Sequence, residues 1–307
     1  MSLGLPLGVE GSRPEVVVTT TMLRDMVVAV AGDDVEVRGL MGPGIDPHSY
    51  KATSGDIRAL RRANLIFYNG LHLEGRMQSV FERMGDRAVA VTDSLPRNRL
   101  LQAEDYEGQF DPHVWLDPRL WAECVEVVVA GLSRVLPERA EAFRERGDRV
   151  RKEILAEYDW GVERLSRLPE ERRILATSHD AFHYFGRAFS FQVVAVQGVS
   201  TAGEAGLADI TAIIDFLQAN RVSAVFLETS VSPAAMERVS RDAGVRIGGE
   251  LFSDALGGAG ERRSGLDGVT YEVGTWQGMF RYNIDTILAG LLEAQVGARA
   301  PSREQER

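Results

Sequence analysis

The chain of 307 residues has room for two domains or one large one, and its 44% hydrophobic and 26% charged residues are ordinary for a soluble globular protein. Its formal net charge of -10 at pH 7 argues against nucleic acid as a partner, because phosphate binding requires a basic surface. Acidity alone does not identify a cation-binding protein.

The beginning of the chain shows no targeting segment. Residues 1–14 lack a basic start followed by an apolar core, and no run is long and apolar enough to span a bilayer. We expect that a signal or lipid anchor has been lost from this end, so a cytoplasmic location is not predicted. The single cysteine, Cys124, excludes an intramolecular disulfide, and the apolar periodicity around it favours a buried structural thiol.

The first half of the chain alternates strand-like and helix-like patterns. A buried strand, a helix and a second strand follow one another at the spacing of a βαβ unit, which predicts a parallel sheet. The predicted strands are 15–20, 35–40, 65–69 and 88–91, the predicted helices are 22–31 and 54–63 with a further one before 88, and 97–109 is irregular.

Residues 137–168 carry one long amphipathic pattern, which predicts a single helix of about thirty residues. Gly147 and Gly161 weaken this helix, but no glycine-proline punctuation breaks it. A helix of this length between two βαβ-rich halves is typical of a rigid connector. The apolar positions recur at spacings of three, four and seven, at Phe143, Val150, Ile154, Tyr158, Val162, Leu165 and Leu168.

The second half repeats the alternation of the first. Its predicted strands are 173–178, 191–196, 222–228 and 245–251, and its predicted helices are 181–188, 206–218, 233–243 and 275–296. We therefore predict an α/β fold with two parallel-sheet lobes joined by one long backbone helix. The expected N-terminal lobe covers 14–136, the linking helix 137–168 and the C-terminal lobe 169–297.

The tripeptide Asp-Pro-His occurs twice, at 46–48 and at 111–113, and the two copies hold two of the five histidines. Proline fixes its own φ and pushes the preceding residue towards extended geometry, so each histidine leaves a stiff, non-helical turn. Imidazole is the commonest metal ligand among side chains. Two unrelated loop histidines would be the alternative interpretation, but the repetition favours two halves of one metal site.

Four candidate ligands, His48, His113, His179 and Asp254, each follow a predicted strand or lie in a loop that enters one. Ligands of open parallel sheets bind beyond the carboxyl ends of the strands. Two candidates precede the linking helix and two follow it, so we predict a metal site in the cleft between the lobes. Three imidazoles and one carboxylate can close a four-coordinate shell around zinc, and a bidentate carboxylate also accommodates manganese.

Six stretches together resemble the zinc- and manganese-binding solute-binding proteins of bacterial ABC transporters. The resemblance extends over residues 16–296, with the motifs in the order of the family, and its ligand positions match the same four residues. It implies capture of a divalent metal ion outside the cytoplasmic membrane, by a monomeric periplasmic or lipid-anchored protein, and delivery to an ABC permease with its ATPase. The stretches are DPHSY (46–50), NGLHLE (69–74), DPHVWLDP (111–118), TSHDAF (177–182), GVST (198–201) and LFSDALG (251–257).

The resemblance also bears on the identity of the metal. Family members with glutamate at the position of His179 look manganese-selective, whereas histidine is typical of zinc binders and of some that take both. Nitrogen-rich ligation favours zinc on general grounds. Many zinc binders carry a His-rich acidic loop between the first two ligands, but 97–109 contains no histidine. We therefore expect Zn²⁺, with Mn²⁺ as the alternative.

Three further residues are weaker candidates. His72 matches a family position that is not a ligand, and His183 stands where the family usually has glycine, which favours a surface or supporting histidine. Glu228 ends a predicted strand and is either an acceptor that orients an imidazole or a purely structural carboxylate. For Asp254 taken on its own, capping a turn is the safer interpretation.

Two other functional classes stay open as alternatives. A zinc-dependent hydrolase can use three histidines and a carboxylate, but the sequence has no H-E-x-x-H helix, nucleophile elbow or phosphate loop. A metal-binding surface adhesin is the second alternative, since some relatives in the family look like host-binding proteins. The prediction is a binding protein without enzymatic activity.

Overall fold

A four-stranded parallel sheet with the order β2-β1-β3-β4 forms the N-terminal lobe in the computed structural model, which describes residues 13–103, 108–201, 203 and 206–292. Val16, Val17 and Val18 of the central strand are fully buried, as expected for a parallel strand with both faces covered. The strands are β1 (Glu15–Val18), β2 (Glu36–Gly39), β3 (Leu65–Tyr68) and β4 (Ala88–Ala90), and the helices are α1 (Thr21–Ala31), α2 (Ser54–Arg62), α3 (Gln78–Met84) and α4 (Pro118–Val135).

Helix α5 (Ala140–Leu165) is the predicted linking helix, and it packs along α4. Its 26 residues are fewer than expected, because Pro137–Arg139 forms a separate 3-10 turn before it. A Cβ at Gly147 would come within 2.4 Å of a methyl group of Val129 on α4. The glycine that weakens the helix in isolation therefore lets the two helices approach closely.

The C-terminal lobe contains two parallel strand pairs, β5–β6 and β7–β8, and β5 lies beside β7. An antiparallel hairpin, β9–β10, follows the second pair and was not predicted. The last helix is described as far as Leu292, so the final predicted turns lie outside the described residues. The elements are β5 (Ile174–His179), α6 (His183–Phe189), β6 (Gln192–Gln197), α7 (Leu207–Ala219), β7 (Ala224–Glu228), α8 (Ala234–Ala243), β8 (Arg246–Leu251), β9 (Arg262–Ser264), β10 (Thr270–Glu272) and α9 (Trp276–Leu292).

One large apolar core joins the two lobes behind the cleft. It contains Trp115 and Trp121 from the first lobe together with Phe182 and Trp276 from the second. The indole N–H of Trp115 donates to the carbonyl of Ser253 at 2.8 Å, and the indole N–H of Trp276 donates to the carbonyl of Trp115 at 3.0 Å. The lobes are thus packed and hydrogen-bonded together at this side.

The predicted fold class, two parallel-sheet α/β lobes with a long helix, is confirmed, and a cluster of histidine and aspartate side chains that could hold a metal ion lies in the cleft. The division at residues 136 and 168 stays a prediction. In the part of the chain that the structure describes, no helix has the length and apolarity that crossing a membrane requires.

Candidate metal centre

The four predicted ligands lie together in the cleft, although they come from four separate segments. His48 lies in the loop after β2, His113 directly precedes the 3-10 turn that leads into α4, His179 ends β5, and Asp254 lies in the turn after β8. One potential ligand atom from each residue lies within 4.8 Å of the others. Three of the four side chains are at most 1% exposed, and His48 is 7% exposed.

The distances between the donor atoms suit a small tetrahedral ion. His113 Nε2 lies 3.2 Å from His48 Nε2 and 3.4 Å from His179 Nε2. Asp254 Oδ1 lies 3.4 Å from His113 Nε2, and its Oδ2 lies 3.3 Å from His179 Nε2. Donors at ~2.0–2.1 Å from a zinc ion at the centre of a tetrahedron are about 3.3–3.4 Å apart. The arrangement is therefore already close to the spacing that such an ion requires.

The repeated tripeptide produces the same local turn at both places. Asp46 Oδ1 accepts the backbone N–H of His48 at 2.8 Å, and Asp111 Oδ1 accepts the backbone N–H of His113 at 2.9 Å. An aspartate that bonds the main chain two residues later forms an Asx turn, and the intervening proline fixes φ within it. Both histidines therefore leave the chain from a turn that their own tripeptide encodes.

Two imidazoles are oriented by buried carboxylates. The Nδ1–H of His113 donates to Asp111 Oδ1 at 2.7 Å, and the Nδ1–H of His179 donates to Glu228 Oε2 at 2.5 Å. Glu228 Oε1 also accepts the backbone N–H of His179 at 2.8 Å. Because Nδ1 of each ring is bonded to a carboxylate, Nε2 faces the centre and can bind a metal once its own proton has left. Of the two roles left open for Glu228, the structure shows the contact of an orienting acceptor.

The carboxylate of Asp254 is placed by its neighbours and has one oxygen to spare. The hydroxyl of Ser230 donates to Asp254 Oδ2 at 3.2 Å. Oδ1 is buried and accepts no hydrogen bond from the described residues. A buried acceptor without a donor is unfavourable, and a cation between the imidazoles would satisfy it.

The charges in the site shift the protonation of its members strongly. Burial lowers the pKa of His48 to about 4. Burial also acts to lower the pKa of His113, but the carboxylates of Asp111 and Asp254 outweigh it and raise the pKa to about 9. For His179 the same balance, with Glu228 and Asp254 as the charges, raises the pKa well above its ordinary value. Burial acts to raise the pKa of Asp254, but the neighbouring imidazoles hold it well below its usual range.

The remaining sequence candidates lie outside the four-residue cluster. His72 is exposed and has a left-handed backbone with φ of 63°. His183 begins α6 and pairs with Asp180, with His183 Nε2 at 2.7 Å from Asp180 Oδ1. Cys124 is buried and free, and burial raises the pKa of its thiol. Asp111 was not among the candidates, although its position in the same tripeptide as His113 was the available signal.

Replacing Glu228 by glutamine should weaken metal binding by about 10- to 100-fold, because a neutral amide holds the Nδ1–H of His179 less strongly and makes the imidazole less basic. The measurement is a competition titration against a chelator of known affinity. Glu171→Gln is the matched control, since Glu171 is exposed before β5. Equal affinities of the Glu228→Gln variant and the wild type would contradict the orienting role.

Comparison with known proteins finds relatives that are named for the metals they bind. Residues 16–290 match the sequence model of the family described as "ZnuA: Zinc-uptake complex component A periplasmic". The "Zinc-binding protein TroA" of Treponema pallidum is 43% identical over 287 residues, which cover 91% of this chain and 89% of that protein. The "Manganese-binding lipoprotein MntA" of Bacillus subtilis is 39% identical over 285 residues, covering 90% and 89%. The solved structure of the periplasmic zinc-binding protein TroA from Treponema pallidum has a TM-score of 0.85 at 42% identity, covering 92% of this chain and 99% of that one.

Proposed function

Because the chain belongs to the ZnuA family of metal-binding, solute-binding components of ABC transporters, which are not enzymes, we propose that it captures one divalent transition-metal ion outside the cytoplasmic membrane and delivers it to a permease. The observation that carries this proposal is the buried cluster of His48, His113, His179 and Asp254. These four residues are the proposed ligands. The proposal includes a monomeric protein, a permease-bound ATPase as the source of energy, and a periplasmic or lipid-anchored location.

Zinc is the proposed cargo, and manganese is the second candidate. The site offers three nitrogen donors and one carboxylate, and the four donor–donor distances described above are 3.2–3.4 Å. This donor set and spacing suit a four-coordinate zinc ion. The relatives at 43% and 39% identity are named for zinc and for manganese respectively, so proteins of similar sequence are named for either metal. Bidentate binding by Asp254 would raise the coordination number and accommodate manganese.

Capture joins the two lobes through the ion. His48 and His113 belong to the first lobe, and His179 and Asp254 belong to the second. The shared core behind the cleft contains Trp115 and Trp276, so a wide opening of the cleft would require that core to separate. We therefore propose a small lobe shift or the rearrangement of a loop during loading, and separation of ligands by the permease during release.

The arrangement disfavours the zinc-dependent hydrolase. A catalytic zinc keeps one coordination position open to water, whereas four protein donors close the shell. A closed shell of four protein donors suits a metal carrier better than an enzyme, in agreement with the family to which the chain belongs.

Protein stripped with a chelator should bind one zinc ion per chain tightly, and a large excess of manganese should not displace it, because nitrogen-rich ligation favours zinc. Isothermal titration with each metal, alone and in competition, measures this. Comparable binding of both metals would replace zinc by a dual-metal cargo. Binding of neither metal would refute the transport proposal itself.

A further inference from the structure

A cavity of about 220 Å³ lies at the mouth of the cleft. Its wall includes residues 71–73, 75 and 76 after β3, Phe110 and Pro112, and Val199 and Ser200 of the second lobe. Six water molecules, at about 30 Å³ each, occupy roughly 180 Å³, so the cavity is large enough to admit a hydrated divalent ion.

His48 connects this cavity with the centre. It is the only proposed ligand among the residues that line the cavity, and it is also the most exposed of the four. His113 and His179 are completely buried behind it. An ion that reaches the centre without disturbing the packed core therefore moves past His48, the outermost of the four residues, on its way to His113 and His179.

His48 is also held differently from the other two imidazoles. His113 and His179 donate their ring Nδ1–H groups to carboxylates, whereas His48 is fixed through its main chain by Asp46 Oδ1 at 2.8 Å. The second oxygen of Asp46 accepts the hydroxyl of Thr201 from the other lobe at 2.6 Å. A chain of hydrogen bonds from Thr201 through Asp46 to His48 thus crosses the mouth of the cleft.

We infer that this cavity is the route by which the metal enters and leaves, and that the Thr201–Asp46 hydrogen bond holds His48 as the last ligand to bind and the first to leave. This inference rests on the proposed function. Thr201 and Asp46 are positioning residues in this scheme, since they act on the ion through His48. The chemical class that the cavity accepts is a hydrated divalent cation.

The first test narrows the cavity without straining the chain. Gly75 lines the cavity, has no left-handed φ, and a Cβ there would meet nothing within 4 Å. Gly75→Phe should slow zinc association and dissociation by a similar factor of about ten and leave the dissociation constant unchanged, because a route constrains rates and not the equilibrium. Gly42→Phe is the control, because a Cβ at Gly42 also meets nothing within 4 Å while Gly42 does not line the cavity.

Stopped-flow fluorescence can follow both rates, because the ring of Trp115 lies 5.2 Å from that of His113. Unchanged rates in folded Gly75→Phe protein would overturn the route. A charge reversal, Arg76→Glu, gives a second test that does not depend on Gly75→Phe folding. It should speed association by about tenfold, whereas Arg62→Glu, with the same change in net charge away from the cavity, should have a much smaller effect.

The second test removes the hydrogen bond across the mouth. Thr201→Val should raise the dissociation rate of zinc by about tenfold, since a hydroxyl bond to a carboxylate of typical strength is lost. Thr201→Ser should restore the wild-type rate, and Thr211→Val on the exposed face of α7 should leave it unchanged. A Thr201→Val rate within twofold of the wild type would overturn the positioning role.

Failure of this inference is distinguishable from failure of the proposed function. If the wild-type protein binds no zinc at equilibrium, the proposed function fails. If it binds zinc tightly and the variants of Gly75, Arg76 and Thr201 keep wild-type rates, only the route is overturned.

Discussion

Replacing His113 by alanine should lower the affinity for zinc by about 100- to 1000-fold. The free energy of zinc binding at four-ligand sites is about 10–16 kcal/mol, so one ligand accounts for roughly 2.5–4 kcal/mol. A tenfold change in affinity corresponds to about 1.4 kcal/mol. His113 is central in the cluster, because its Nε2 lies within 3.4 Å of a potential donor atom of each of the other three residues. Its removal also leaves the buried Asp111 without the ring that it holds.

The measurement is zinc affinity by chelator competition, with circular dichroism and thermal unfolding of the metal-free protein to show that the fold persists. His72→Ala is the matched control, because His72 lines the mouth of the same cleft but lies outside the cluster. An affinity of His113→Ala within about threefold of the wild type, far below the loss estimated for one ligand, would remove His113 from the ligand set.

Zinc affinity should also fall steeply as the pH is lowered from about 8 to about 6. In the metal-free protein the pKa of His113 is about 9 and that of His179 is well above its ordinary value, so both rings are protonated on both nitrogens and positively charged near neutral pH. The metal must displace these protons, and each displaced proton lowers the apparent affinity by about tenfold per pH unit. His48, with a pKa of about 4, is neutral in this range and adds nothing to the slope.

The number of protons released should approach two per zinc ion. Calorimetry in two buffers with different enthalpies of ionisation measures this number directly, and His72→Ala should give the same value as the wild type. A release close to zero at neutral pH would mean that the imidazoles are already neutral without metal. It would contradict the raised pKa values that the surrounding carboxylates give to His113 and His179.

The exchange of two protons for one divalent ion leaves the charge of the site unchanged. Three buried carboxylates, from Asp111, Glu228 and Asp254, surround the imidazoles. Uncompensated buried charge is strongly unfavourable. Two protonated rings balance these carboxylates before capture as well as the ion does afterwards, so the cleft can remain folded in both states.

The four residues of the cluster could be singled out from the sequence because their signals are local. His48 and His113 are marked by a tripeptide that forms its own turn, and His179 and Asp254 stand at strand ends. The carboxylates that orient the rings were harder to find. Glu228 lies 49 residues from His179, and only the pairing of strands in three dimensions determines which side chains meet.

Helix boundaries and short elements were predicted less well. Helix α4 was not recognised as an element, although Asp117 and Pro118 form a good start signal and Asp117 caps the helix. The predicted linking helix was too long because Leu168 continues its apolar periodicity and is buried, while lying in the turn after the helix. The hairpin β9–β10 was missed because β9 is fully exposed and shows no alternation.

The common core behind the cleft has a consequence for how the chain can be divided. Trp121 and Phe143 before residue 169 and Trp276 and Phe280 after it belong to the same apolar cluster. Cutting the chain between the lobes would expose these side chains to water on both fragments, and exposed patches of this kind promote aggregation. The two halves of the sequence therefore share an architecture, but we do not expect them to fold separately. Thermal unfolding of the protein should show one cooperative transition.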